Sequence, residues 1–386
     1  MIYLDNAATT KTLPEVVEAM LPFFMENYGN PSALYASGIA GKKAVNQARR
    51  DVAEVIGAKP EEIYFTSGGT EADNWALTGV VESYRQKGRH IITTKIEHAA
   101  ILRTCEALER KGVEVTYLDV DEEGVIDLGQ LEAAIRPDTI LISIMFANNE
   151  IGTLEPVAKI GRLARKRGVL FHTDAVQAFG QIPICAEELG VDLLSASAHK
   201  LNGPKGVGIL YIRTGIKLGA SFHGGGQERN RRAGTENVPG IVGFGRAALW
   251  ALHTMEQRAA AEKRLREYLI ERIEAEIPCC RLNGHREKRL PNNVNFSFMQ
   301  VEGEALLVML DMKGICASGG SACTSGTANA SHVLRAIGLK EDEARGSLRL
   351  TPSWENTKEE MDVVVDHLKQ IVAKLRRLTS ALPSTE

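Results

Sequence analysis

The stretch Ile63-Tyr64-Phe65-Thr66-Ser67-Gly68-Gly69-Thr70-Glu71 decides how this chain folds. Ile63 to Thr66 reads as a short apolar strand, and the glycine turn after it opens a helix over about Thr70 to Gln86. Glycines let a backbone approach an anion, and a helix N-terminus offers free N–H groups with a partial positive charge. The turn therefore reads either as a phosphate cradle at Gly69 and Thr70 or as a plain helix cap. It is not a Walker loop, because no Lys-Ser/Thr pair follows the glycines.

The same alternation continues on both sides. Leu13 to Glu26 reads as a helix, with Thr12 and Glu15 spaced as a capping box, and Ser37 to Ile56 as a second. Strands are expected at His90–Thr94, Val113–Leu118, Thr139–Ile144, Val169–Phe171, Leu193–Ala196 and Gly206–Ile212, with helices over 99–111 and over Pro156 to Lys166. The run Thr139-Ile140-Leu141-Ile142-Ser143-Ile144 has the continuous apolar character of a strand buried on both faces. Such alternation over about 200 residues implies an α/β fold with a mostly parallel sheet flanked by helices, whose ligands sit beyond the carboxyl ends of the strands. A long helical stretch from Pro239 to Ile277 leads into a smaller α+β part. There we expect strands at Asn293–Phe298, near Ile315 and at Ser347–Leu350, with helices over Glu302–Met312, Ser331–Ile337 and Thr357–Leu378. The tail from Thr379 to Glu386 is polar and should fray.

Composition limits the function. With 386 residues the chain has two or three domains' worth of length. Lys and Arg total 46 against 49 Asp and Glu, a net charge of −3, which argues against a dedicated nucleic-acid binder. Hydrophobic residues make up 44% and charged residues 25%, ordinary values for a globular protein. No run of eighteen apolar residues suggests a membrane span. The opening Met1-Ile2-Tyr3-Leu4-Asp5-Asn6 has neither the basic region nor the apolar core of a secretory signal. The six cysteines, at 105, 185, 279, 280, 316 and 323, form no C-x-x-C pair. A zinc or thioredoxin-type site is not expected, and a cytoplasmic chain would keep these thiols reduced.

Three further segments could carry chemistry. Asp174, in Phe171-His172-Thr173-Asp174-Ala175-Val176-Gln177, ends an apolar strand. There it is either a helix-capping acid or a buried carboxylate that needs a cation, such as a pyridinium nitrogen. In Ser195-Ala196-Ser197-Ala198-His199-Lys200-Leu201-Asn202-Gly203-Pro204-Lys205, a lysine beside an imidazole could join covalently to an aldehyde cofactor, and Lys200 and Lys205 compete for that role. Ala317 to Ala328 is twelve small residues with one thiol, Cys323, and no apolar anchor. Such a segment should be mobile and its thiol accessible, whereas the other five cysteines fall in apolar or helical patterns. His223-Gly224-Gly225-Gly226 resembles an esterase oxyanion loop, but the matching Gly-x-Ser-x-Gly is missing, since Gly319-Gly320-Ser321-Ala322 ends in Cys323. Gly243-Phe244-Gly245 lies in a helical stretch and is no dinucleotide fingerprint.

Eight segments in order resemble the cysteine desulfurases of the NifS/IscS type, class V aminotransferase relatives with the fold-type I architecture of pyridoxal-phosphate enzymes. They are Tyr3–Thr10, Tyr28–Ser32, Thr66–Glu71, Asn148–Gly152, His172–Gln177 with Ser197–Lys200, Arg232–Asn237 and Ser321–Ser325. The resemblance implies a large cofactor domain over 12–260 and a small domain made of 1–11 and 261–386, the latter carrying the cysteine loop at about 317–328. It implies pyridoxal 5'-phosphate bound covalently by Lys200, with Asp174 on the ring nitrogen, Gln177 on the ring hydroxyl and His98 stacked on the ring. Gly69, Thr70, Ser197 and His199 would hold the phosphate, with Thr235 given by the other subunit of a homodimer. Arg349 and Asn149 would bind the substrate carboxylate, Asn149 also lying against the cofactor. L-Cysteine would displace Lys200, which then moves the α-proton. The Cys323 thiolate would take the sulfur, leaving alanine, and pass it to an acceptor or scaffold protein for iron–sulfur cluster assembly or a related thiolation. No resident metal is implied, although Cys323 could be a transient iron–sulfur ligand.

Tyr35, Asn329-Ala330-Ser331-His332 and Thr351-Pro352-Ser353-Trp354 depart from the pattern, the last beside the expected substrate pocket. The short tail fits a NifS-like subtype. A selenocysteine lyase, or another lyase on the same scaffold, is the alternative that the cysteine loop disfavours.

Overall fold

A computed structural model describes residues 1–319 and 330–381. Its centre is a seven-stranded sheet built from β2 (Ile63–Thr66), β3 (His90–Thr94), β4 (Glu114–Leu118), β5 (Thr139–Ser143), β6 (Leu170–Asp174), β7 (Leu193–Ser197) and β8 (Gly208–Ile212). The strand order is β2-β8-β7-β6-β5-β3-β4. The pairs from β7 to β4 are parallel, whereas β8 runs antiparallel to both β2 and β7. Every residue of β2, β3 and β5 is buried, as expected of strands covered on both faces.

Helices α3 (Ala36–Val55), α4 (Gly69–Tyr84), α5 (Ala99–Glu109), α6 (Leu128–Ala134), α7 (Val157–Arg167) and α8 (Ala186–Leu189) accompany the sheet. The periodic apolar positions of α3 and α7 enter one core with Ile142, Phe171 and Phe179. Those of α4 and α5 enter another with Ile91, Leu141 and Leu210. The sheet is thus sandwiched by helices.

The long helix α9 (Val238–Glu276) ties two cores together. Its first half, with Ile241, Phe244 and Ala248, packs against the sheet's helices, and its second half, with Leu269, Ile270 and Ile273, packs into a separate core. That second core holds the antiparallel strands β9 (Cys280–Leu282), β10 (Val294–Phe298) and β12 (Ser347–Leu350). Helices α10 (Gly303–Asp311) and α13 (Lys358–Ala381) join it, and α11 (His332–Ala336) and α12 (Glu341–Arg345) lie nearby. The first strand, β1 (Ile2–Tyr3), pairs in parallel with β11 (Ile315–Cys316), so the N-terminal residues sit with the C-terminal part of the chain.

Several expectations need correction. Leu13–Glu26 is not one helix. Pro22 has no N–H to give, so the segment divides into α1 (Pro14–Met20) and α2 (Pro22–Met25). The Thr12–Glu15 box does not form: Leu13 stands at the cap, and the Thr12 hydroxyl donates to the Gly203 carbonyl instead. Cys279 is exposed rather than packed. Four short elements, α6, α8, α12 and β9, had no marked signal, since each spans only three to seven residues and takes its stability from neighbours. Among the described residues no helix is long and apolar enough to cross a membrane. Cys323 lies outside the described residues, as does the end of the tail.

Candidate active site

The parallel strands deliver their polar residues to one edge. Asp174 is the last residue of β6, and Lys200 lies three residues beyond the end of β7. Their register pairs Asp174 with Ser195, so β7 runs two residues past the end of β6 at the same edge of the sheet. His98 caps α5, just after β3, and its Nδ1 accepts the Ala100 N–H at 3.1 Å. A ring nitrogen of His98, a carboxylate oxygen of Asp174 and one of Asp73 lie within 4.8 Å of one another.

Asp174 keeps both alternatives of its sequence. Its carboxylate accepts the Val176 N–H at 2.9 Å, as a turn-capping acid does, yet it is also buried. Burial pushes its pKa up, and the charges of His98 and Lys200 pull it back down. Lys200 is half-buried, and its Nζ donates to the carbonyls of Ala7 at 2.5 Å and Ala8 at 2.8 Å. Lys205 is exposed, which separates the two lysines that the sequence left competing. The Ala7 carbonyl also accepts from Gln177 Nε2 at 3.0 Å. Residues 5–10 thus form a strap against Lys200, and Thr9 adds its hydroxyl to His199 Nδ1 at 3.2 Å. Burial and the two neighbouring lysines push His199 down to about 4, so its ring is neutral at neutral pH.

The helix-capping alternative for Ser67 and Thr70 fails. The cap of α4 is Gly68, which has no side chain to offer the first N–H groups, and Thr70 is exposed. Gly69 is required for closeness: a Cβ there would come within 2.6 Å of Val176 Cγ2. Ser197 is buried beside this turn. Glu71 organises the turn by accepting the Ser67 N–H at 2.8 Å and pairing with Arg232 at 2.8 Å. That pair ties Arg232 to the first turn of α4, while Thr235, three residues on, is exposed.

Arg349, on β12, is 2% exposed. Its Nη1 donates to the Asn149 carbonyl and its Nη2 to Asp5 Oδ1, both at 2.8 Å. Nearby Glu150 is pushed up to about 7 by burial, although Ser331 donates to it and Arg349 and His98 favour its charge.

Asp5, Asp73, Glu71 and Arg232 were given no role at the level of sequence. Asp73 did leave a signal: it falls on the buried stripe Gly69, Ala72, Ala76, Leu77 and Val80 of α4, where an acid needs a reason. Asp5 left none, because its partner is 344 residues away.

Residues 2–364 match the family profile described as aminotransferase class-V. The chain is 53% identical over 380 residues to a protein of Clostridium botulinum called cysteine desulfurase IscS, covering 98% of this chain and 96% of that one. A solved NifS-like protein superposes with a TM-score of 0.91 at 41% identity, covering 97% of this chain and 99% of the other. A structure described as SspA in complex with cysteine gives a TM-score of 0.82 at 36% identity, covering 92% of this chain and all of the other.

Proposed function

The chain belongs to the aminotransferase class-V family, and from that premise we propose that it is a pyridoxal-phosphate-dependent cysteine desulfurase. It takes sulfur from L-cysteine, leaving L-alanine and a persulfide on Cys323. The observation that carries this reading is the convergence of Asp174, His98 and Lys200 at the strand ends, beside a helix N-terminus with a glycine cap.

These residues fit pyridoxal 5'-phosphate. Asp174 is a buried carboxylate suited to a protonated ring nitrogen, and the N-terminus of α4, whose cap residue Gly68 has no side chain, offers N–H groups to a phosphate. When bound, the cofactor supplies an electron sink for the charge that develops on the substrate's α-carbon. Asp174 keeps the ring nitrogen protonated, and Gln177 turns its amide to the ring hydroxyl. Gly69, Thr70, Ser197 and His199, with Thr235 of the partner subunit in a homodimer, hold the phosphate. His199 does so as a neutral hydrogen-bonding ring. His98 would lie against the ring. Lys200 would hold the cofactor covalently and, as an amine, would move the substrate's α-proton.

Arg349 grips the substrate carboxylate with help from Asn149, since a guanidinium presents two parallel N–H groups to it. The Cys323 thiolate then attacks the substrate sulfur. The new S–S bond forms as the Cβ–S bond breaks, and the electron pair stays on the carbon that a proton completes to alanine. The persulfide passes to an acceptor protein, with iron–sulfur cluster assembly as its use. That chemistry needs reduced thiols and suits the cytoplasm. Residues 12–260 form the cofactor domain, and 1–11 with 261–386 the domain that brings Arg349 and Cys323.

The test is to treat the holoenzyme with L-cysteine, assay alanine, and weigh the peptide containing Cys323. We expect a gain of one sulfur atom there, and with Cys323→Ser neither alanine nor persulfide. A persulfide on another cysteine, with Cys323 unmodified, overturns the reading.

A further inference from the structure

We propose that Asp73 is a positioning residue of this site, a carboxyl that keeps its proton so that Asp174 beside it carries the single negative charge offered to the cofactor. This role, resting on the desulfurase reading, is distinct from that of any residue that touches the cofactor.

The geometry places Asp73 one turn into α4 beyond Gly69, where it is 1% exposed. Its carboxylate lies within 4.8 Å of both Asp174 and His98, and its Oδ1 has no hydrogen-bond partner among the described residues. Two carboxylates so close and so buried oppose each other's charge, and the one with fewer charge-favouring partners keeps its proton.

The surroundings decide which one keeps the proton. Asp174 accepts the Val176 N–H and has His98 and Lys200 favouring its charge. Asp73 has only the Ser195 hydroxyl in its favour, while Asp174 and Glu97 oppose its charge. Its other titratable neighbour is His172, whose Nε2 stands 3.7 Å away. His172 is wholly buried between the hydroxyls of Ser143, at 2.9 Å, and Ser195, at 3.0 Å. Burial holds it down to about 3, so it offers no positive charge. Burial likewise holds the Asp73 carboxyl well above the usual carboxylate range.

A neutral carboxyl is still polar. It surrounds the Asp174 charge with dipoles where an apolar side chain would strip them away. A polar neutral substitute should therefore do the same work, and an apolar one should not.

The experiment measures the dissociation constant of pyridoxal 5'-phosphate from the full-length protein across about pH 5 to 9, with Asp73→Asn and Asp73→Leu beside the unaltered chain. We expect Asp73→Asn to keep the dissociation constant within about three-fold and its pH midpoint unmoved. We expect Asp73→Leu to raise the pH below which cofactor is lost by about one unit, because Asp174 becomes harder to ionise. A ten-fold loss of affinity or about a one-unit shift in Asp73→Asn would mean that Asp73 contributes a charge, and the proposal falls. An unmoved midpoint in Asp73→Leu also overturns it, because Asp73 then has no influence on Asp174. If Asp73→Leu does not fold, the result for Asp73→Asn decides alone. Failure of the unaltered chain to bind the cofactor would instead sink the desulfurase reading itself.

Discussion

Arg349 Nη2 meets Asp5 Oδ1 at 2.8 Å, joining β12, the last strand of the small core, to the chain's first residues. With Nη1 on the Asn149 carbonyl, two of the three guanidinium nitrogens are engaged, and Nε has no partner among the described residues. The backbone of Arg349 also exchanges hydrogen bonds with Ser318, at 2.7 and 3.3 Å. The residue expected to grip the substrate is therefore oriented from three sides.

Arg349→Ala should raise KM for cysteine roughly 10- to 150-fold, as expected for loss of charge-assisted bonds of about 1.5–3 kcal/mol. Arg349→Lys should not restore it, because a point charge cannot hold Asp5, the Asn149 carbonyl and a carboxylate together. Asp5→Asn should raise KM by about five-fold, since orientation weakens while the cation stays. Steady-state kinetics check all three, and an unchanged KM in Arg349→Ala moves the carboxylate site elsewhere.

Lys200→Ala should abolish covalent retention of the cofactor, so that borohydride no longer fixes it to the protein. Lys205→Ala should leave that attachment intact, because Lys205 is exposed whereas Lys200 is held at the Ala7 and Ala8 carbonyls. Peptide mass spectrometry after reduction distinguishes the two. A label that persists in Lys200→Ala defeats the assignment.

Asp174→Ala should weaken cofactor binding by at least about 30-fold, the lower range for truncating one partner of a buried charge pair. Equilibrium dialysis measures it. Binding as tight as in the unaltered chain would remove the ring-nitrogen role.

Glu155→Gln should change how stability depends on pH. Burial pushes Glu155 up to about 8 from an ordinary 4.5, so the folded protein binds the proton more tightly than the unfolded chain. The stability this gives is fully present below pH 4.5 and is lost as pH rises toward 8. Glutamine resembles the protonated acid at every pH. The variant should match the unaltered chain below pH 4.5 and exceed it, on the order of 5 kcal/mol, above pH 8. Urea unfolding at both ends of that window checks this, and parallel curves would refute it.

Much of the architecture was legible in order. The βα alternation from Ile63 onward gives a parallel sheet because a right-handed crossover returns each strand beside its neighbour. Asp174, His199 and Lys200 were legible as strand-end residues for the same reason. The antiparallel β8 was not, since Gly208–Ile212 has the apolar run of any buried strand and its direction depends on the turn before it. The break at Pro22 was legible in principle, from the missing N–H, and was overridden by the apolar periodicity around it.

By itself the sequence determined the fold class, the strand-end position of Asp174 and Lys200, and the thiol in a segment without apolar anchors, because these depend on local pattern and short spacing. Only the tertiary structure set the half-buried Lys200 apart from the exposed Lys205, released the α4 N-terminus from a side-chain cap, set Asp5 on Arg349, and brought Asp73 beside Asp174. Each of those depends on burial or on residues distant in the chain. Whether a carboxylate keeps its charge is set by what surrounds it after packing, which local pattern does not encode.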